Sequence, residues 1–325
     1  VQVIESKEQL TSVVPGQVLS IGNFDGVHLG HQKILQLARE TAERLGSPGV
    51  AVMTFYPHPA SVLNPDRSPR LLTSLEQKCW LLSRQCVDTL IIIKDTYEML
   101  NLSPRDFIDK FLMRHIRPAA VVEGPNFNFG YGRSGDVNTL AELGRDRGFE
   151  TVVVPPVETK LSDGRITMVS SSMIRRLLEE GEVTDAAAAL SRPYRLMGRT
   201  VRGRGKGTEI GFPTANIESA EQIIPAEGVY AGRVAVGAAC DSVASALDMT
   251  PAAISIGRAK TFVQDHALLI EAHLLTANVP DLTGRWLAMD FIARVRHQQR
   301  FDSAHKLAEQ INRDCEEVRR MLGGK

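Results

Sequence analysis

Five short runs built almost wholly from valine, isoleucine, leucine and alanine limit what the first half of this chain can become. They lie at 18–21, 50–55, 90–93, 119–122 and 151–154. A strand with one wet face alternates apolar and polar residues; these runs do not, so they read as parallel strands covered on both faces. Between the first two, residues 31–45 place Ile34, Leu35, Ala38, Ala42 and Leu45 on one helical stripe that stops at Gly46. Strand, helix and strand repeated in this way predict an open, doubly wound, Rossmann-like α/β sheet. Ser170, Ser171 and Ser172 are then placed to cap a short helix from about Met173 to Gly181.

Beyond Ser191-Arg192-Pro193 the pattern changes, and the proline marks a boundary that no helix should cross. Runs at 195–201, 228–236, 252–256, 268–275 and 286–295 are strand-like, with glycine-rich or polar turns and no helices expected between them. They predict a small antiparallel β-barrel, closed by a helix over 303–322 whose inner face carries Leu307, Ile311 and Val318. A chain of 325 residues exceeds one comfortable core, and the expected division is 1–190 and 191–325.

Charge excludes some functions. Lys plus Arg equals Asp plus Glu at 38 each, so no overall field draws the chain to nucleic acid or to a membrane. Small anionic ligands must be held by local chemistry. No apolar run approaches the ~20 residues of a membrane helix, and residues 1–10 lack the pattern of a signal peptide. The four cysteines are scattered without a Cys-x-x-Cys pair, which argues against zinc and suits a reducing cytoplasm.

The first strand runs into Gly22-Asn23-Phe24-Asp25-Gly26-Val27-His28-Leu29-Gly30-His31. Its glycines let backbone amides approach a ligand, and the following helix aims its amide end at the same place, as a phosphate requires. His28 and His31 are one turn apart, so both imidazoles can face that phosphate.

This loop resembles the Gly-x-Phe-Asp-Gly-x-His-x-Gly-His signature of flavin-nucleotide nucleotidyltransferases. Three further segments, in the same order, are similar to the bacterial bifunctional riboflavin kinase/FMN adenylyltransferase (FAD synthetase) family: Thr54-Phe55-Tyr56-Pro57-His58-Pro59, Gly124-Pro125-Asn126-Phe127-Asn128-Phe129-Gly130, and Val169-Ser170-Ser171-Ser172-Met173-Ile174-Arg175. The resemblance implies attack by the FMN phosphate on the α-phosphorus of ATP, with release of pyrophosphate. It implies that His28, His31 and the loop Gly22, Asn23, Phe24, Asp25 and Gly30 hold ATP. Ser170, Ser171 and Arg175 would grip the leaving pyrophosphate, and His58 and Asn126 would lie at the flavin. Ser172 stands where the family has Thr.

The second module opens with a basic glycine-rich loop, Gly203-Arg204-Gly205-Lys206-Gly207, able to wrap a polyphosphate but lacking Walker A spacing. Pro213-Thr214-Ala215-Asn216 looks like the riboflavin kinase motif in which Thr and Asn reach one Mg²⁺; alternate residues of an extended segment share a face, so the spacing is sound. By resemblance Glu271 is the general base for the riboflavin 5′-hydroxyl, and Arg296 lies near the flavin. A carboxyl in an otherwise apolar run suits a base. Ser255, Ala259, Lys260 and Thr283 depart from the family pattern. Three narrower readings stay open at this level: an adenylyltransferase with a degenerate kinase half, a flavin- or nucleotide-binding regulator, or another cytidylyl- or adenylyltransferase using the same first loop.

Overall fold

In a computed structural model of the chain, the described residues are all but 95, 202–211, 213, 219–220, 259–267, 277–281 and 324–325. The chain divides into two compact units: Val1–Pro69 with Lys78–Glu158, and Arg70–Gln77 with Thr159–Lys325.

The first unit is built on six strands, β1 (Gln2–Ile4), β2 (Val18–Ile21), β3 (Val50–Phe55), β4 (Thr89–Ile93), β5 (Ala120–Glu123) and β6 (Glu150–Val153). Their order is β1-β4-β3-β2-β5-β6, and every pairing is parallel. The five apolar runs each form a strand. β1 is an addition: three residues, two of them exposed, offer no run to read. Apolar side chains cover both faces of the sheet. On one, Leu19, Met53 and Val121 join Phe107, Ile108 and Leu112; on the other, Val18, Val50 and Ala120 meet Ala38 and Ala42 of helix α1 (Leu29–Leu45). α1 ends at Gly46, whose φ of 61° is the left-handed conformation that a glycine stop supplies.

β2 pairs with β3 on one side and β5 on the other, so the chain reverses its direction of winding here. Above the carboxyl ends of these strands the connections leave in opposite directions and open a crevice, the usual ligand position in such a sheet.

The second unit contains helices α2 (Ser171–Glu180) and α3 (Val183–Leu190) and six barrel strands. These are β7 (Tyr194–Val201), β8 (Ala215–Glu218), β9 (Gly228–Gly237), β10 (Thr250–Arg258), β11 (Leu268–Leu274) and β12 (Trp286–Arg296). The barrel closes in the order β7-β8-β11-β10-β9-β12 with antiparallel pairings throughout. A terminal helix, α5 (Ala304–Met321), is capped by Ser303, whose hydroxyl accepts the Lys306 amide at 3.2 Å.

The expectation of a barrel without intervening helices is corrected. A short helix, α4 (Cys240–Ala244), interrupts the barrel between β9 and β10, and β8 is a sixth strand. Ile174, Leu177 and Leu178 of α2 and Val183 and Leu190 of α3 bury their apolar stripes in the same core as Tyr194, Tyr230 and Phe291 of the barrel.

α4 is tied to the barrel by charge. Arg195 of β7 forms a two-pronged ion pair with Asp290 of β12 at 2.6 and 2.9 Å, and its remaining nitrogen donates to the Val243 and Ala244 carbonyls. The pair is sealed, with side-chain exposures of 10% and 13%. Removing one partner strands the other charge. Asp290→Ala is expected to cost about 3–5 kcal/mol, read as a lowered Tm, and Arg195→Met in the Asp290→Ala background should restore most of the loss.

Candidate active sites

The loop after β2 is anchored before it reaches its histidines. The Gly22 amide donates to the Met53 carbonyl of β3 at 3.0 Å, and the Thr54 hydroxyl donates to the Asn23 carbonyl at 3.2 Å. The chain then doubles back through Phe24 and Val27, with φ of 47° and 41°, and Gly26 with φ 87°. Left-handed φ is costly for Phe and β-branched Val, and such strain persists only where the surroundings enforce it. Both side chains are buried, Phe24 at 2% and Val27 at 1% exposure.

The turn delivers His28 as the N-cap of α1, its Nδ1 accepting the His31 amide at 3.4 Å. The helix therefore starts two residues earlier than the sequence pattern suggests, and Gly30 and His31 lie in its first turn. The two imidazoles stack, with centroids 3.7 Å apart and planes at 16°. Because Nδ1 of His28 accepts, the neutral ring carries its proton on Nε2.

Beside this turn lies a cavity of about 460 Å³, lined by Gly22 and Asn23, by His58 after β3, and by Asn126, Phe127 and Phe129 after β5. Phe127 and Phe129 stack at 5.6 Å. Asn23 Nδ2 and His58 Nε2 are 3.1 Å apart, while His58 Nδ1 accepts the Ala60 amide at 3.1 Å. The Asn23 side-chain amide and the His58 imidazole are thus joined through Nε2. Asn23, His58 and Asn126, expected on the ATP and flavin sides, thus share one largely apolar cavity.

Asp25, expected in the ATP-holding loop, is 2% exposed, and its charge acts on Lys78, itself only 5% exposed. Burial pulls the Lys78 ammonium below the ordinary lysine range, and Asp25 opposes that shift. Lys78 went unread in the sequence because it sits in a helix with no motif around it.

Glu123, the last residue of β5, was also missed. It is 4% exposed and accepts hydrogen bonds from the Ile21 amide and, at 3.3 Å, the Ser20 hydroxyl. Burial pushes its carboxyl well above the usual carboxylate range, against the pull of those two bonds. The one available signal was an ionisable residue ending a strand buried on both faces.

In the second unit, Ser170 caps α2, its hydroxyl accepting the Met173 amide at 3.2 Å, and Ser171 is the first helical residue. Arg175 Nε donates to the Arg70 carbonyl at 2.7 Å.

On the barrel, Asn216 of β8 is the register partner of Glu271 of β11, and Glu271 is in turn the partner of Ser255 of β10. The three lie abreast across adjacent strands. Asn216 is 8% exposed and hydrogen-bonds the Glu271 carboxyl. Burial raises the pKa of Glu271, and the Asn216 bond works the other way. Thr214, half-buried, precedes this row. Ser255 accepts from Gln298 Nε2 at 3.0 Å. Thr283 occupies a turn ahead of β12, next to Gly284 with φ 66°. Gly203, Gly205, Lys206, Gly207, Ala259 and Lys260 lie outside the described residues.

Arg296, expected near the flavin, grips Asp314 of α5 with its guanidinium at 2.7 and 2.9 Å, and Asp314 is 4% exposed. Such a geometry fastens the terminal helix to β12.

The comparisons with known proteins agree with this arrangement. Residues 11–172 match the FAD synthetase family model and residues 190–322 the riboflavin kinase model. The bifunctional riboflavin kinase/FMN adenylyltransferase of Escherichia coli K12 is 33% identical over 308 residues, covering 95% of this chain and 93% of its own. The chain belongs to the bifunctional riboflavin kinase/FMN adenylyltransferase family. The Bacillus subtilis member is 32% identical, covering 93% of this chain and 91% of its own, and the Pseudomonas fluorescens member is 31% identical, covering 98% and 97%. A crystal structure of a Streptococcus pneumoniae protein named for macrolide efflux is 25% identical with a TM-score of 0.80, covering 98% of this chain and 99% of that one. Among the described residues of this family member, no helix is long and apolar enough to cross a membrane.

The position of Glu123 sets a pH dependence. A carboxyl whose folded-state pKa is raised contributes its stability fully below the unfolded value of about 4.3 and loses it as pH rises towards the folded value. Relative to Glu123→Gln, the wild-type Tm should therefore fall progressively above about pH 4.3; parallel Tm curves for the two proteins would show that the carboxyl is not sealed from water.

Proposed function

We propose that the two activities of this enzyme, phosphorylation of riboflavin to FMN and adenylylation of FMN to FAD, are carried by separate residue sets. The single observation that supports the first is the stacked His28–His31 pair at the start of α1, beside the cavity after β2, β3 and β5. There the FMN phosphate oxygen attacks the α-phosphorus of ATP, and the bond to the bridging oxygen of the β-phosphate breaks to release pyrophosphate. The chain need not bond covalently; it aligns the two phosphates and neutralises charge on the transferring group. The Nε2 proton of His28 and the Leu29 and Gly30 amides at the start of α1 are donors for the triphosphate. Phe127 and Phe129, with Asn126 and His58, suit a flat heteroaromatic ring with polar edges. Ser170, Ser171 and Arg175 are assigned to the pyrophosphate on the family pattern. In the second unit they present hydroxyls, amides and a guanidinium at one helix start.

Phosphorylation is assigned to the row formed by Asn216 and Glu271. The Glu271 carboxylate takes the proton of the riboflavin 5′-hydroxyl as that oxygen attacks the γ-phosphorus of ATP and ADP leaves. Burial makes the carboxylate a better base than one in water. Thr214 and Asn216 offer neutral oxygens that would suit a Mg²⁺, which would supply charge neutralisation at the ATP phosphates. The substrates are small molecules throughout.

His28→Ala should abolish FAD formation from FMN and leave FMN formation from riboflavin at the wild-type rate, with products separated by chromatography. Simultaneous loss of both activities would argue against separate sites. Conversely, Glu271→Gln should slow riboflavin phosphorylation by about 10²–10⁴-fold and spare adenylylation of supplied FMN. The wild-type kinase rate should fall with acidification at a pH above the ordinary carboxylate range, as the raised Glu271 takes up its proton; a profile flat to pH 5 would remove Glu271 as the base.

A further inference from the structure

β2 and β5 begin as ladder partners, Val18 with Ala120 and Leu19 with Val121, and then part to open the crevice. Past that point the Ile21 amide donates to the Glu123 carboxyl, which also receives the Ser20 hydroxyl. The next amide, Gly22, points the other way and is held by Met53 of β3. The Ile21 and Gly22 amides are thus fixed on opposite sides, immediately before the strained turn through Phe24 and Val27. A turn held in left-handed φ keeps its shape only if its ends are held.

We infer that Glu123 is a positioning residue for adenylyl transfer: as a hydrogen-bond acceptor at the parting of β2 and β5, its carboxyl fixes the strand end from which the His28–His31 turn is aimed. It rests on the assignment of adenylylation to that turn. Glu123 itself touches no substrate, being sealed beneath the strand ends. Among the described residues no charged side chain is recorded as acting on it, so an acceptor, not a charge, is what the site requires. Glutamine supplies the same acceptor on the same stem; valine supplies none.

The test uses the full-length chain, with riboflavin phosphorylation as an internal control. Glu123→Val should lower kcat/KM for FMN adenylylation by about 10–100-fold, with a raised KM for ATP, and leave the kinase rate unchanged. Glu123→Gln should stay within about threefold of wild type for both reactions. Wild-type adenylylation by Glu123→Val would overturn the inference, as would a Glu123→Gln loss as deep as that of Glu123→Val. If Glu123→Val loses the kinase too, Glu123→Gln decides alone, retention supporting the role and loss overturning it. Unimpaired adenylylation by His28→Ala would fail the underlying assignment instead, whatever Glu123 does.

Discussion

The parting of β2 from β5 is the constraint on which the N-terminal site depends. A parallel sheet satisfies its own backbone until two strands diverge; from there each buried amide needs another partner or carries a desolvation cost of about 1–3 kcal/mol. Here a carboxyl side chain takes over at Ile21 and a neighbouring carbonyl at Gly22. Those two bonds fix the take-off of the loop, and the loop fixes where α1 begins. The same divergence opens the crevice that Asn23, His58 and Asn126 line. Opening the cavity and aiming the histidines are one geometric event.

The barrel solves a different problem, how to keep polar groups together on a structure whose inside is filled. Its interior holds Ala215, Ile217, Ile254, Ile256, Ile270 and Ala272 in one apolar cluster. Side chains alternate along a strand, so Asn216, Ser255 and Glu271 fall on the opposite face, and the register sets them side by side. A shift of one residue in β11 would bury the carboxyl in the core. α5 packs on the outer face through Ile311, Cys315 and Val318 against Ala231 and Ala253, and the Arg296–Asp314 pair holds it to β12.

What could be read in the sequence follows from how local each feature is. The apolar runs became strands because burial on both faces leaves a continuous signature, and α1 declared itself by its stripe and its glycine stop. The row of Asn216 and Glu271 was legible as two motifs, though not as neighbours, since register is a long-range property. β8 hid because four residues within a polar motif carry no run. Asp25 and Arg296 show the limit most clearly: a charged residue in a motif looks like a ligand contact, and only the fold reveals the opposite charge beside it.

Glu123 and Glu271 show how burial alone fails to define a role. Both carboxyls are raised by desolvation. A general base must reach the proton it removes, and Glu271, part-buried on the outer face of the barrel, retains that access. Glu123, at 4% exposure with its bonds directed to the backbone of β2 and the Ser20 hydroxyl, has none. Raised proton affinity suits the first to take up a proton, while the second, sealed under the strand ends, is placed only to organise amides. On the proposed reading the same side chain serves chemistry in one unit and geometry in the other, and the difference lies in access rather than acidity.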